Sequence, residues 1–337
     1  MTKTASFAAA FVAALHDGLS ADPRASIVGG YVLGLGPERA LMDRVRADFP
    51  GRVIDPPTSE AAVAALGTGA AMAGARPFVD LGTASFSYLA WSQIVNEAAV
   101  AHYMSGGRLS VPVTFHYLHG VRGAGAAQHS ASPHAMLANA PGLEIVAPST
   151  PADAYGLVRG AMASRNPTLV VNHAKLLAIE GPFGDDRAPL PFGRADVKRS
   201  GRDVTVLAVS LMVHHALAAA QRLARDGIEV EVIDPRTLVP FDEATLLASV
   251  GKTGRLVVVD EAPLTGGFAS SVAGLVAERG FWSLKAPVIR VARADTPVPY
   301  SPVLERFVTP DADKIEAAVR RCLGEKETAA ATSGRRT

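Results

Sequence analysis

One carboxylate stands out by its setting. The run Arg52-Val53-Ile54-Asp55-Pro56-Pro57-Thr58-Ser59-Glu60 places Glu60 just after a strand-like segment and two prolines. Glu60 then opens a helix of small residues, Ala61 to Gly74. Ser59 or Thr58 can cap that helix, and a negative charge is favoured in a first turn. The helix has almost no polar face, and a helix apolar all round is buried. Glu60 therefore stands at the mouth of a core element, where a carboxylate is either a cap or a proton handler. The second candidate is His129, in the loop Gly120 to Ser130. A loop with so few bulky residues builds no core, and long ordered loops are often functional. An imidazole titrating near neutrality suits proton traffic. A hydrogen bond that pins the loop is the alternative. His116, His119 and His134 lie close by in sequence; they either shape a pocket or are solvated loop residues. Neither His-Glu-x-x-His nor a Cys/His ligand spacing occurs, which argues against zinc.

The elements that must hold these residues alternate. Short apolar strand candidates occur at Ile27-Val28, Arg52 to Ile54, Pro77 to Leu81, Val111 to Phe115, Leu143 to Val146 and Thr168 to Val171. Helical runs lie between most of them, near Leu41 to Phe49, after Glu60, from Gln93 to Tyr103 and from Ala152 to Ala163. Strands buried on both faces and separated by helices mean a parallel α/β sheet. The Pro/Gly-rich stretch after Glu180 reads as a linker. A second unit follows, with strands at Val204 to Val209, Ile228 to Ile233, Leu256 to Val259 and Val288 to Val291. Its helices are expected at His214 to Asp226, Asp242 to Val250 and Phe268 to Arg279. The expected divisions are a first domain over residues 1–179, a linker over 180–200, a second domain over 201–323 and a disordered tail over 324–337.

Composition bounds the class. A chain of 337 residues, 48% hydrophobic and 19% charged, supports a large core and two domains. A net charge of +1 gives no reason to expect nucleic acid or an anionic membrane as partner. The single cysteine, Cys322, excludes an internal disulfide and a cysteine-rich zinc cluster. Lys3 before Phe7 to Leu15 resembles a short signal-peptide core, but no small-x-small cleavage site with a polar run-out follows. That segment reads as an amphipathic first helix. No apolar stretch is long and charge-free enough for a membrane span, so the cytoplasm is the default expectation.

Several blocks recur in a fixed order. Ile54 to Glu60 precedes a Gly/Ala helix ending in Ala73-Gly74-Ala75-Arg76-Pro77. Then come Gln93-Ile94-Val95-Asn96-Glu97-Ala98-Ala99, Tyr103-Met104-Ser105-Gly106-Gly107, Gly125 to Ser130, and Pro141-Gly142-Leu143 running into Val146-Ala147-Pro148-Ser149. The second half adds Val232 to Leu238 and Asp295 to Tyr300. Over roughly residues 5 to 322 this order resembles the β subunit of the thiamine diphosphate-dependent 2-oxo acid dehydrogenase E1 component, of the pyruvate dehydrogenase type. The resemblance implies two three-layer α/β domains with mainly parallel sheets: a thiamine diphosphate pyrimidine-binding domain and a transketolase C-terminal domain.

It also gives the candidates tasks. Glu60 would share a proton with the cofactor's aminopyrimidine, for which its carboxyl must be desolvated. Phe86, in Ser85-Phe86-Ser87-Tyr88, matches an aromatic that packs on the aminopyrimidine; a plain core aromatic is the alternative. Gly82 replaces a bulkier residue beside the cofactor. His129 matches a histidine that faces the active-site channel and serves acyl transfer to a lipoyl group. Main-chain carbonyls at Val113, Ala161, Met162, Ser164 and Asn166 match a K⁺ loop. Family members hold the diphosphate through Mg²⁺ on a Gly-Asp-Gly motif with a downstream Asn. That motif is absent from this chain, so the resemblance implies a separate α subunit and an α2β2 heterotetramer.

Two departures bear on mechanism. Val28-Gly29-Gly30-Tyr31-Val32 puts Gly30 where the family carries an acid of an inter-site carboxylate relay. His173 stands where an acidic or polar residue is common. The expected activity is decarboxylation of a small 2-oxo acid, with acyl transfer to a lipoyl-E2 acyltransferase. Two rivals are kept: an enzyme outside such a complex that delivers the enamine to an aldehyde or another acceptor in biosynthesis, and a non-catalytic structural partner of an α subunit.

Overall fold

The computed structural model describes residues 3–29, 39–184 and 187–325. They hold fourteen strands: β1 (Thr4–Ser6), β2 (Ala25–Val28), β3 (Val53–Ile54), β4 (Arg76–Thr83), β5 (Thr114–His119), β6 (Glu144–Val146), β7 (Thr168–His173), β8 (Glu180–Pro182), β9 (Asp196–Arg199), β10 (Val204–Ala208), β11 (Val230–Asp234), β12 (Thr237–Val239), β13 (Leu256–Pro263) and β14 (Ile289–Arg293). The chain divides into two units. The first comprises Met1–Arg194, Arg236–Phe241 and Pro297–Glu305; the second comprises Ala195–Pro235, Asp242–Thr296 and Arg306–Thr337.

The first unit is built on a seven-stranded sheet of order β12-β6-β7-β5-β4-β2-β3. Its central pairs, β2 with β3 and β4, β4 with β5, and β7 with β5 and β6, are all parallel; β12 joins β6 antiparallel. The strands β5 and β7 are buried at every residue, as strands covered on both faces must be. One cover is the helix Phe7–Ala21, which packs against the helix Pro151–Ala163. Ser6 caps its start by accepting from the Ala9 N–H at 3.1 Å. Phe7, Phe11, Leu15 and Leu19 are buried along it at helical spacing; a fully buried side chain of that size contributes about 1.5–3 kcal/mol.

The helix Glu60–Met72 packs on β4. Gly67 permits the approach: a Cβ there would lie 2.2 Å from the Val79 side chain. The small-residue composition of this helix is thus a docking requirement that fixes where Glu60 begins.

The second unit carries a five-stranded sheet of order β14-β13-β10-β11-β9. All its pairs are parallel except the edge pair of β11 with β9. The helices Met212–Leu223, Glu243–Thr253, Phe268–Arg279 and Ala312–Cys322 accompany it. Strands β10 and β11 are buried throughout. Among the described residues, no helix is long and apolar enough to cross a membrane.

Four expectations meet a different structure. The stretch expected as a linker holds two strands: β8 pairs antiparallel with β1, and β9 forms an edge of the second sheet. Pro and Gly discourage interior strands but are tolerated at edges. Residues 236–241 and 297–305, expected in the second domain, belong to the first unit; the former are drawn in where β12 pairs with β6. The run Gln93 to Tyr103 is not one α-helix: a π-helical turn spans Ser92–Ala98 and a short α-helix spans Ala101–Met104. His116 and His119, placed provisionally in a loop, lie inside β5 and are 1% and 2% exposed. Most of the tail, from residue 326, lies outside the described residues.

Candidate functional site

In open parallel α/β sheets, ligands sit beyond the carboxyl ends of the strands. The candidate residues gather there in the first unit. Glu60 follows β3, Gly82 is the penultimate residue of β4 and Phe86 follows that strand, His129 follows β5, and His173 ends β7.

Glu60 is the first residue of its helix, and Ser59 is the cap: its side chain accepts from the Ala62 N–H at 3.5 Å. The carboxyl is thereby free of the capping task. Glu60 is 8% exposed, and no hydrogen-bond or ion-pair partner for its side chain occurs among the described residues. A carboxylate near a helix start gains from the helix dipole but loses hydration on burial. Such a group is primed for a ligand that supplies the missing hydrogen bond.

The helix headed by Glu60 packs against the 3₁₀ segment Ala84–Ala90, which in turn packs against the short 3₁₀ turn Ala127–His129. The outcome is direct contact between two candidates: the Phe86 and His129 rings meet edge to face, centroids 5.5 Å apart at 81°. Phe86 is half-buried and His129 exposed, so this pair forms a rim and is no part of the interior. Beside Phe86, the buried Ser85 Oγ has no hydrogen-bond partner.

Gly82 is buried and adopts φ +71°, a conformation that L residues with side chains rarely take. The ladder between β4 and β5 shifts register between Asp80 and Thr83, around this residue. The bend is held by Asp80, whose Oδ1 accepts from the Gly82 N–H at 3.0 Å. The same oxygen meets His116 Nδ1 at 3.1 Å, and Asn172 Nδ2 lies 3.1 Å from His116 Nε2. Side chains of β4, β5 and β7 are thus tied in one buried row beneath the Gly82 bend. The His116 ring also packs on Phe11 and Phe78, with centroids 4.8 and 5.6 Å away.

A second histidine group supports the loop. His119 meets Ser132 Oγ at 3.1 Å and packs edge to face against His134 and His173. His173 Nδ1 accepts from the Lys175 N–H at 3.0 Å. All three rings are buried, so they are framework under the His129 loop and not solvated residues. The loop itself carries Arg122, whose guanidinium is driven below its usual pKa by burial. The local sequence singled out Glu60 and His129 as candidates, and the resemblance added Phe86; neither pointed to Asp80, Asn172 or Arg122. The pairing of Asp80 with His116 spans 36 residues, and its only sequence signal is that Asp80 falls in a strand candidate and His116 directly follows another.

Comparison with known proteins decides the family. The transketolase pyrimidine-binding domain matches residues 3–179, and the transketolase C-terminal domain matches 193–315. The chain is 42% identical over 271 residues to a Bacillus subtilis 2-oxoisovalerate dehydrogenase subunit beta, covering 80% of this chain and 83% of that one. It is 41% identical over 272 residues to an acetoin:2,6-dichlorophenolindophenol oxidoreductase subunit beta of Cupriavidus necator, covering 81% and 80%. It is 38% identical over 328 residues to a mitochondrial pyruvate dehydrogenase E1 component subunit beta-2 of Oryza sativa, covering 95% and 86%. The chain belongs to the E1 β-subunit family of thiamine diphosphate-dependent 2-oxo acid dehydrogenases. A solved split-gene transketolase, in an inactive β4 tetramer, superposes with a TM-score of 0.78 at 25% identity, covering 94% of this chain and 97% of that one.

The E1 β site can be tested for its cofactors. A buried Glu60 carboxyl and a Ser85 Oγ, both without a partner among the described residues, and the half-buried Phe86 ring offer polar and aromatic contacts that suit an aminopyrimidine. The K⁺ carbonyls are less open. Val113 O accepts from Thr168 N at 2.9 Å, Ala161 O from Ser164 N at 3.1 Å, and Asn166 O from Thr168 Oγ1 at 3.3 Å. Met162 O and Ser164 O accept from Arg76, at 3.1 and 2.5 Å. Each oxygen keeps one lone pair, yet the guanidinium already brings positive charge to two of them. Gly30, the departure in the carboxylate relay, lies outside the described residues.

Proposed function

We propose that this E1 β chain supplies the aminopyrimidine half of a thiamine diphosphate site, in an α2β2 assembly that decarboxylates a small 2-oxo acid. When bound, the cofactor supplies the nucleophilic carbon and the electron sink that such a decarboxylation needs. With the cofactor bound, Glu60 would hold and return a proton at its carboxyl oxygen for the aminopyrimidine. Its burial keeps water from taking that role. Phe86 gives the ring an apolar face, and the Gly82 backbone allows close approach. His129, exposed at the rim, moves a proton for the acyl acceptor, which we take to be a lipoyl-E2 domain. Mg²⁺ belongs to the diphosphate half and is assigned to the α subunit. K⁺ is retained only at the second lone pairs of the five carbonyls. The single, buried, unpaired Cys322 suits a reducing compartment, and the proposal sets the enzyme in the cytoplasm.

The observation that carries this reading is the buried Glu60 carboxyl, without a partner among the described residues, on the helix that packs against the segment bearing Phe86. The reading in which an aldehyde accepts the acyl unit drew on Gly30, Gly82 and a histidine-rich loop; of these the loop lends it less, because His116 and His119 are buried in β5 and committed to framework contacts. The test is Glu60→Gln in the reconstituted α/β pair. Exchange of the cofactor C2 proton, followed by NMR, should slow by about 10²-fold or more, at the low end of general acid–base effects. Exchange at the wild-type rate would remove Glu60 from the mechanism.

A further inference from the structure

Arg122 is a charged group to which the reading above gives no task. It lies on the His129 loop, seven positions before the histidine. Its Nε and Nη2 are buried and have no hydrogen-bond partner among the described residues. These two nitrogens form the side edge of the guanidinium, where two parallel N–H vectors match the two oxygens of a carboxylate. The carboxylate close in the fold is engaged elsewhere. Glu305 accepts from the Ala124 N–H at 3.1 Å and lies 3.8 Å from Lys175 Nζ. Burying a guanidinium edge without a partner is costly, and guanidinium does not shed its proton to escape the cost.

The stem of Arg122 fixes where that edge can reach. A Cβ added at Gly125 would meet Ser130 Oγ at 2.9 Å and Arg122 Cγ at 3.0 Å. Arg122 therefore lies across Gly125 beside Ser130, the residue after His129, and His129 touches Phe86.

The geometry points to Arg122 as the anchor for the carboxylate of the 2-oxo acid substrate. This rests on the reading that the His129–Phe86 rim borders the reacting site. In the free chain the side edge is covered, so the side chain must swing out of its slot to receive the acid. The exchange replaces an unpaired, desolvated edge with a bidentate ion pair. The substrate's own charge thus favours the open position of the side chain. A carboxylate common to all 2-oxo acids leaves the choice among them to other residues, and Arg122 would act on every one alike.

The experiment uses the reconstituted, cofactor-loaded α/β pair, with pyruvate and 2-oxoisovalerate as probes and a dye as electron acceptor. Arg122→Met should raise KM for both acids by the same factor, about 10- to 100-fold, the range for a lost hydrogen-bonded charge. A little-changed kcat is the signature of lost uniform binding. Arg122→Lys keeps the charge but not the fork, and should recover part of the loss. An unchanged KM overturns the proposal. So does an effect confined to one of the two acids, which would make Arg122 a wall of the side-chain pocket. A weakened α/β association by sedimentation, with KM intact in the assembled fraction, also overturns it, because the partner of Arg122 would then be a carboxylate of the α subunit. Failure of the wild-type pair to turn over either acid, whatever the state of Arg122, would defeat the underlying functional reading and this inference with it.

Discussion

The buried row under Gly82 can be dismantled one group at a time. Asp80→Ala removes the acceptor of two donors, the Gly82 N–H and the His116 ring. Each donor left unpaired in the interior costs about 1–3 kcal/mol, so the single substitution should cost about 2–6 kcal/mol. His116→Phe keeps the ring packing on Phe11 and Phe78 but takes one partner from a carboxyl that is 4% exposed; a hydrogen bond to a charged group is worth about 1.5–3 kcal/mol. The double variant no longer strands the His116 nitrogen. Its cost should therefore fall short of the sum of the singles by about 1–3 kcal/mol, a coupling typical of groups in contact. Near the midpoint, 1 kcal/mol shifts Tm by about 2–4 °C for a unit of this size, so the shortfall reads as several degrees. Thermal unfolding of all four proteins by circular dichroism completes the cycle. The cofactor affinity of the assembled pair should follow the same pattern, since the row holds the Gly82 bend. Strict additivity would refute the reasoning, because it would mean that Asp80 and His116 do not rely on each other.

Four further outcomes follow. His129→Ala should keep decarboxylation with ferricyanide as acceptor and lose most transfer to a lipoyl domain; equal loss in both assays would make His129 a residue that holds the loop or cofactor. Gly67→Val should destabilise by several kcal/mol through overpacking against Val79, with loss of cofactor binding in proportion, and a wild-type melting curve would contradict the docking argument. Tyr155 is pushed up to about 12, first by burial and then by its hydrogen bond to Asp17. A raised folded pKa stabilises at every pH below the unfolded value of 10.0 and is lost as pH climbs toward about 12; the stability gap between wild type and Tyr155→Phe should thus be constant to about pH 10 and shrink above it. Replacing K⁺ with choline at constant ionic strength should lower Tm if the five carbonyls hold the ion, and an identical Tm would leave Arg76 as the only cation they need.

Glu60 could be found from its neighbours in sequence because the causes of its setting are local. Two prolines end a strand, a hydroxyl residue caps, and a run of small residues announces a buried helix. The loop of His129 was visible for the same reason, since its glycines and alanines can build no core. What local pattern could not supply is register. Whether Asp80 faces His116 depends on how β4 and β5 align across their intervening helices, and a slip of either strand by one residue would turn its side chain to the other face, away from its partner. The same limit hid the pairing of Thr237–Val239 with β6, which draws a short piece of the second half into the first sheet. Ser92–Ala98 shows a finer version. An α-turn and a π-turn share one apolar pattern over so short a span, and packing chooses between them.

The His116 case shows why histidines in a strand were misplaced. Thr114-Phe115-His116-Tyr117-Leu118-His119 carries four polar-tipped side chains, and such a run resembles the solvated start of a loop. It is buried because its polar tips are answered from neighbouring strands: Asp80 and Asn172 answer His116, while Ser132 answers His119. A buried polar group is tolerated where partners complete it. By that rule the contrast with Arg122 is informative. Two imidazoles of β5 have their partners within the chain, and their place is framework. Glu60 and the side edge of Arg122 lack theirs among the described residues, and both lie on elements that border the Phe86–His129 contact. Groups completed within the chain hold the site in shape, whereas the incomplete ones are where a bound molecule must supply what the fold withholds.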